Sequence, residues 1–189
     1  MPSQEQEHAR PHPQDAVPPQ DADSGSAQEL IRALGLLPHP EGGYYRETYR
    51  SAHQVDTAAG LRRSACTAIY YLLDRHSHSA WHRIASDEIW HFHLGAALHV
   101  HVLDGQGGVC SHLLGDPLRQ PGAACQVVVP AGSWFGAELA PQAGAAAYAL
   151  AGCTVAPGFE FSEFELADPA ALLREYPQHE ALVRRLAPR

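Results

Sequence analysis

The stretch Trp81-His82-Arg83-Ile84-Ala85-Ser86-Asp87-Glu88-Ile89-Trp90-His91-Phe92-His93-Leu94-Gly95 holds the densest run of chemically capable side chains in the chain. Side chains two apart share one face of a strand, so Glu88, Trp90 and Phe92 point one way while His91 and His93 point the other. With Glu88 turned to an interior, a histidine on a neighbouring strand would meet a buried carboxyl, and both pKa values would be perturbed. That is how a general acid/base pair is prepared near neutral pH. His82 and Glu88 are accordingly the candidate catalytic residues.

Outward from this run the period stays near two. Short segments rich in Tyr, Val, Ile, Phe and Trp are separated by Gly and Pro turns such as Gly105-Gln106-Gly107-Gly108 and Pro130-Ala131-Gly132. Strands are predicted at 44–50, 66–73, 79–84, 88–94, 97–103, 109–114, 125–129, 134–139, 145–155 and 161–166. About ten short strands with no helices between them exclude βαβ units and specify an all-β antiparallel sandwich or barrel. Helices flank the barrel. Ser26-Ala27-Gln28-Glu29 is a capping box in front of Leu30, Ile31 and Leu34, closed by Gly35. A second helical region opens at Asp168-Pro169, breaks near Pro177 and resumes through Leu182, Val183 and Leu186. Residues 1–27 hold five prolines and six charged residues but a single large aliphatic, Val17, and are expected to form a disordered tail. One domain over 28–189, with its barrel at about 44–166, follows.

Composition removes several functions. The 189 residues include 13 Lys+Arg against 21 Asp+Glu, a formal net charge of −8, which would repel a phosphate backbone or an anionic membrane. Every basic residue is Arg, so neither a Schiff-base lysine nor a P-loop lysine exists; the absence of Asn removes N-glycosylation. Cys66, Cys110, Cys125 and Cys153 form no C-x-x-C pair and read as reduced, mostly buried small hydrophobes. With no signal-peptide core in the tail and no apolar run long enough to span a bilayer, a cytoplasmic protein is expected.

The pattern His82-x-Ile84-x-x-x-Glu88-x-x-x-x-x-x-Gly95 resembles the first motif of the cupin superfamily, and Pro130-Ala131-Gly132-Ser133-Trp134-Phe135 resembles the second. Ile84 and Phe135 stand where that superfamily places histidines, so two of its four usual metal ligands are missing. Four blocks resemble the DUF985 (cupin-5) family: Pro40 to Tyr49, Trp81 to His91, Val129 to Trp134, and Gly152 to Phe161. The resemblance implies a jelly-roll barrel, often a homodimer, with a pocket inside one end. It brings no established reaction.

Around the His82/Glu88 pair, Arg46 or Arg83 could hold a carboxylate or phosphate bidentately. Trp90, Trp134 and Phe135 could stack on a sugar or base, and Tyr44 shares a strand face with Arg46. The first reading is a small-molecule-binding cupin without a cofactor, acting as an acid/base isomerase or epimerase on a sugar- or nucleotide-type anion. An alternative is a divalent-metal cupin using His82, Glu88 and one of His99, His101 or His112. A non-catalytic ligand-binding or sensor protein is the third. The H-x-H pairs His91/His93 and His99/His101 read as solvated or interfacial faces, and His76/His78 as a loop.

Overall fold

The computed structural model describes residues 26–57, 60–141 and 147–188. The chain begins with helix α1 (Ala27–Leu34) and proceeds through β1 (Leu37–Pro38), β2 (Tyr44–Arg50), β3 (Gln54–Asp56), β4 (Arg62–Ser64), β5 (Thr67–Asp74), β6 (Ser79–Arg83) and β7 (Asp87–Gly95). It continues with β8 (Leu98–Leu103), β9 (Val109–Leu114), β10 (Gln126–Val129), β11 (Phe135–Leu139), β12 (Tyr148–Ala156), β13 (Glu165–Leu166), α2 (Pro169–Glu175) and α3 (Glu180–Arg185). One sheet has the order β1-β2-β5-β12-β7-β10 and the other β13-β6-β11-β8-β9, all neighbours antiparallel; β3 and β4 form a separate ribbon. Two facing antiparallel sheets with long crossovers between them make a jelly roll.

Strand parity builds the interior. Tyr71 and Leu73 of β5, Trp90 of β7, Val100 of β8 and Ala149, Ala151 and Cys153 of β12 all enter one cluster between the sheets. The opposite faces of β5 and β12 send Leu72 and Leu150 outward, where α1 covers them through Leu30, Ile31 and Leu34. That helix is held by Ser26, whose hydroxyl accepts from the Glu29 amide while Glu29 returns a bond to the Ser26 amide, and by Gly35 at φ 62°. At the other sheet, α2 and α3 bury Leu172, Tyr176, Val183 and Leu186 against Trp81 and Leu103. Thus Trp81 packs under helices while its neighbour His82 faces the barrel.

Several expectations change. The tail predicted for residues 1–27 lies outside the described residues up to position 25, whereas Ser26 and Ala27 begin α1. β12 starts at Tyr148 rather than 145, with 145 and 146 also outside them. Of the four free cysteines only Cys153 is buried; Cys110 and Cys125, on edge strand β9 and just before edge strand β10, are exposed. The strand expected at 161–166 is a 3-10 turn over Phe161–Glu163 followed by the two-residue β13. The cause is the spacing of Phe159, Phe161 and Phe164: a strand would put Phe161 and Phe164 on opposite faces, and only a turn lets all three reach the same cavity. No helix among the described residues is long and apolar enough to cross a membrane.

Candidate active site

A cavity of about 140 Å³ opens at one end of the barrel, with His82, Glu88, Tyr71 and Cys153 in its wall. His82 and Glu88 therefore share one pocket. The charged partner of His82 is nevertheless Glu41, which strand parity does not single out. His82 Nε2 lies 3.0 Å from Glu41 Oε2, and His82 Nδ1 lies 2.8 Å from the Ala80 carbonyl oxygen. A carbonyl can only accept, so Nδ1 carries hydrogen; an ionised Glu41 likewise needs hydrogen on Nε2. The ring is thus held as an imidazolium with both N–H groups engaged.

Glu41 reaches the interior because its loop lies against β5 and β6. Gly42 and Gly43 have φ of 110° and 66°, and a Cβ on Gly42 would sit 2.1 Å from the His78 carbonyl oxygen. The Ala80 amide donates to the Glu41 carbonyl at 2.8 Å, fixing the loop to β6, and the Ser79 hydroxyl donates to Glu41 Oε1 at 3.0 Å. The signal was present in Pro40-Glu41-Gly42-Gly43: paired glycines mark a close backbone approach, and the carboxylate beside them is what that approach buries.

Electrostatics separate the two buried glutamates. Burial raises the Glu41 pKa, but the His82 charge and its hydrogen bond outweigh that and hold Glu41 at about 2. Burial lowers His82, but the Glu41 charge and hydrogen bond, with the Glu88 charge and the Ala80 carbonyl, together outweigh it, for a net upward shift. Glu88 has no such partner. Burial pushes it up to about 7, opposed by the His82 charge and reinforced by Glu41. Burial and the Glu88 charge raise the Cys153 thiol well above its ordinary value, so it stays protonated and bonds to Glu88 as a donor. His39 is lowered by burial and faces the cavity as a neutral ring.

The remaining predicted residues lie elsewhere. Tyr44 packs under α1. Arg46 lies over the Tyr70 ring at 5.7 Å, on the outer side of the same strand. Their opposite face, Tyr45 and Glu47, is the one that lines the cavity. A bulge between Glu47 and Tyr49 then shifts the register, so Arg50 joins Glu47 at the cavity despite the odd separation. Arg83 donates to Glu165 and lies 4.5 Å from the Trp134 ring, away from the pocket. Trp90 is fully buried beneath it, edge-on to Tyr71 at 5.4 Å. Phe135 pairs with His82 in register and packs on its ring at 4.0 Å, so it supports the histidine instead of stacking on a ligand.

A model of the cupin superfamily family DUF985 matches residues 28–167. The chain belongs to this cupin family. An uncharacterised protein of Saccharomyces cerevisiae is 31% identical over 150 residues, covering 73% of each chain. Among solved structures, a hypothetical protein from Leishmania major is similar at a TM-score of 0.81 with 41% identity, covering 87% of this chain and 100% of that one. The Shewanella oneidensis protein SO0799 is similar at 0.77 with 38% identity, covering 86% and 98%.

The metal site known from cupins does not fit this member. Ile84 and Phe135 offer no donor atoms, and both nitrogens of His82 are engaged inside the protein. Among the described residues no three His, Cys, Asp or Glu converge as a metal site. His99, His101 and His112 line no part of the cavity; His101 instead bonds Ser111 at 2.7 Å and Glu138 at 3.3 Å.

Proposed function

We propose that this cupin is a metal-independent acid/base enzyme of the isomerase or epimerase type, in which Glu88 takes and returns the proton. The observation that carries this reading is a buried carboxyl facing a cavity and titrating at about 7, next to an ion pair that is already satisfied. A group that titrates near the working pH is present in both protonation states, which is the condition for efficient proton transfer in each direction. His82 is not free to act as the base, since its two nitrogens face Ala80 and Glu41. Its fixed charge acts as a positioning element: it keeps Glu88 from rising further and holds the cavity wall in shape.

The step balances within the substrate. Ionised Glu88 removes a proton from a carbon beside a carbonyl or imine, the C–H electron pair moving into the new double bond. Protonated Glu88 then returns that proton to a neighbouring atom, or to the other face once the planar intermediate has turned over in the cavity, and no oxidant or reductant is needed. The closed part of the cavity admits a molecule about the size of one ring, since engineered cavities of roughly 150 Å³ hold benzene. A sugar nucleotide could place only its reacting sugar there.

The test has two arms. Carbon-13 NMR of the Glu side chains should show one carboxyl titrating near 7 that vanishes in Glu88→Gln. Small ketones and imines incubated with protein in D2O should exchange a C–H for deuterium with the wild type and not with Glu88→Gln. A Glu88 that titrates in the usual carboxylate range would sink the reading.

A further inference from the structure

The charges at this cavity do not suit an anion. Among its described lining residues, four carboxyl groups (Glu41, Glu47, Glu88 and Glu160) face two paired cations, His82 and Arg50. Arg50, the one guanidinium in that wall, is occupied: Nε and Nη2 donate to Glu47 at 3.0 and 2.8 Å, Nη1 to Glu160 at 2.7 Å, and Nη2 also to the Phe159 carbonyl at 3.2 Å. An entering carboxylate or phosphate would have to displace two glutamates to use it. The wall is negative whether or not Glu88 is ionised.

Aromatic rings line the same cavity. Phe159, Phe161 and Phe164 have centroids 5.0 to 6.2 Å apart and interplanar angles of 81°, 69° and 74°, so they meet like the walls of a corner. The neutral His39 ring stacks on Phe161 at 5.9 Å and meets Tyr45 edge-on at 4.6 Å, extending the aromatic surface. Aromatic faces are negative, and an enclosed cation within about 6 Å of them is held by cation–π attraction.

We propose that the ligand of this pocket is a small organic cation, an ammonium or iminium no larger than one substituted ring, held between the aromatic corner and the surrounding carboxylates. The inference names the substrate class of the site described above and rests on that reading for the chemistry after binding. It also supplies something the site otherwise needs. Negative charge develops on a substrate when its C–H proton leaves, yet the donors of His82 and Tyr71 are engaged within the protein, Tyr71 with the Gly42 carbonyl at 2.8 Å. A substrate that carries positive charge next to the reacting carbon stabilises the carbanion itself.

Three probes of one shape decide the matter: choline, the neutral 3,3-dimethylbutan-1-ol and the anionic 3,3-dimethylbutanoate. Binding to the full chain is followed by NMR shift titration at pH 7. Choline should bind at least about tenfold more tightly than the alcohol, and 3,3-dimethylbutanoate should not saturate up to about 10 mM. Phe161→Leu changes a side chain that is half exposed, so folding is preserved; it should reduce the choline preference severalfold while leaving the alcohol nearly unchanged. Equal or tighter binding of the alcohol or the carboxylate overturns the proposal, and so does failure of choline to bind. The two readings fail separately: the cation class falls on this selectivity series even if Glu88 titrates near 7, and the acid/base role falls on the Glu88 titration whichever probe binds.

Discussion

Glu88→Gln should make this protein more stable above pH 8, although it removes a side chain from the candidate active site. A carboxyl with an ordinary pKa of 4.5 that is pushed to about 7 in the folded state is a carboxyl whose ionised form the fold disfavours. The sign follows from proton counting. Between 4.5 and 7 the folded chain binds more protons at this site than the unfolded chain, so stability falls as pH rises through that window. At 1.36 kcal/mol per pKa unit, the penalty is roughly 1 kcal/mol at pH 5 and about 3 kcal/mol above pH 8. Glutamine keeps the size of the side chain and cannot ionise, so the variant escapes the penalty. Guanidinium unfolding of wild type and variant at pH 5 and pH 8.5 measures the difference, with the His82 and Glu41 contributions largely common to both. A variant that is no more stable than wild type at pH 8.5, or whose advantage does not grow with pH, would refute the reasoning. The same result would mean that water or a movement of the wall solvates Glu88.

Removing the cation from the other buried pair should act in the opposite direction: His82→Gln strands the Glu41 carboxylate and should cost about 3 kcal/mol or more, with the Glu41→Gln/His82→Gln double variant recovering part of it in a double-mutant cycle. Gly42→Ala should lower Tm by many degrees, because the new Cβ meets the His78 carbonyl oxygen and the residue needs φ 110°; a thermal scan within about 2 °C of wild type would show that the loop does not need that approach. Burial would raise Glu138, but His101 and Arg185 hold it at about 2, so its contribution to stability is present above pH 4.5 and fades toward pH 2; Glu138→Gln should flatten that acid limb in pH-dependent unfolding. Dialysis against EDTA should leave both Tm and probe binding unchanged, and elemental analysis finding one tightly retained metal per chain would contradict the poor fit of the ligand positions.

The barrel was legible in the sequence because its signals are local. Alternation at period two in residues 88–94 and 97–103, turn glycines at fixed points and capped helices at both ends each need only neighbouring residues to be read. The same alternation put Glu88 and Trp90 on one face, and the motif around His82 placed both members of the pair in the wall of one cavity. Alternation cannot say which face of a strand is inside when both faces are covered. β2 is such a strand, with α1 against Tyr44 on one side and the cavity against Tyr45 and Glu47 on the other, and the bulge that brings in Arg50 exists only through its pairing with β5. Nor can local pattern show that Glu41, 41 residues before His82, closes on it through a glycine pair pressed against β5 and β6. Strand pairing, set by the whole jelly roll, decided which glutamate lost its proton to His82 and which was left in the cavity to titrate near neutral pH.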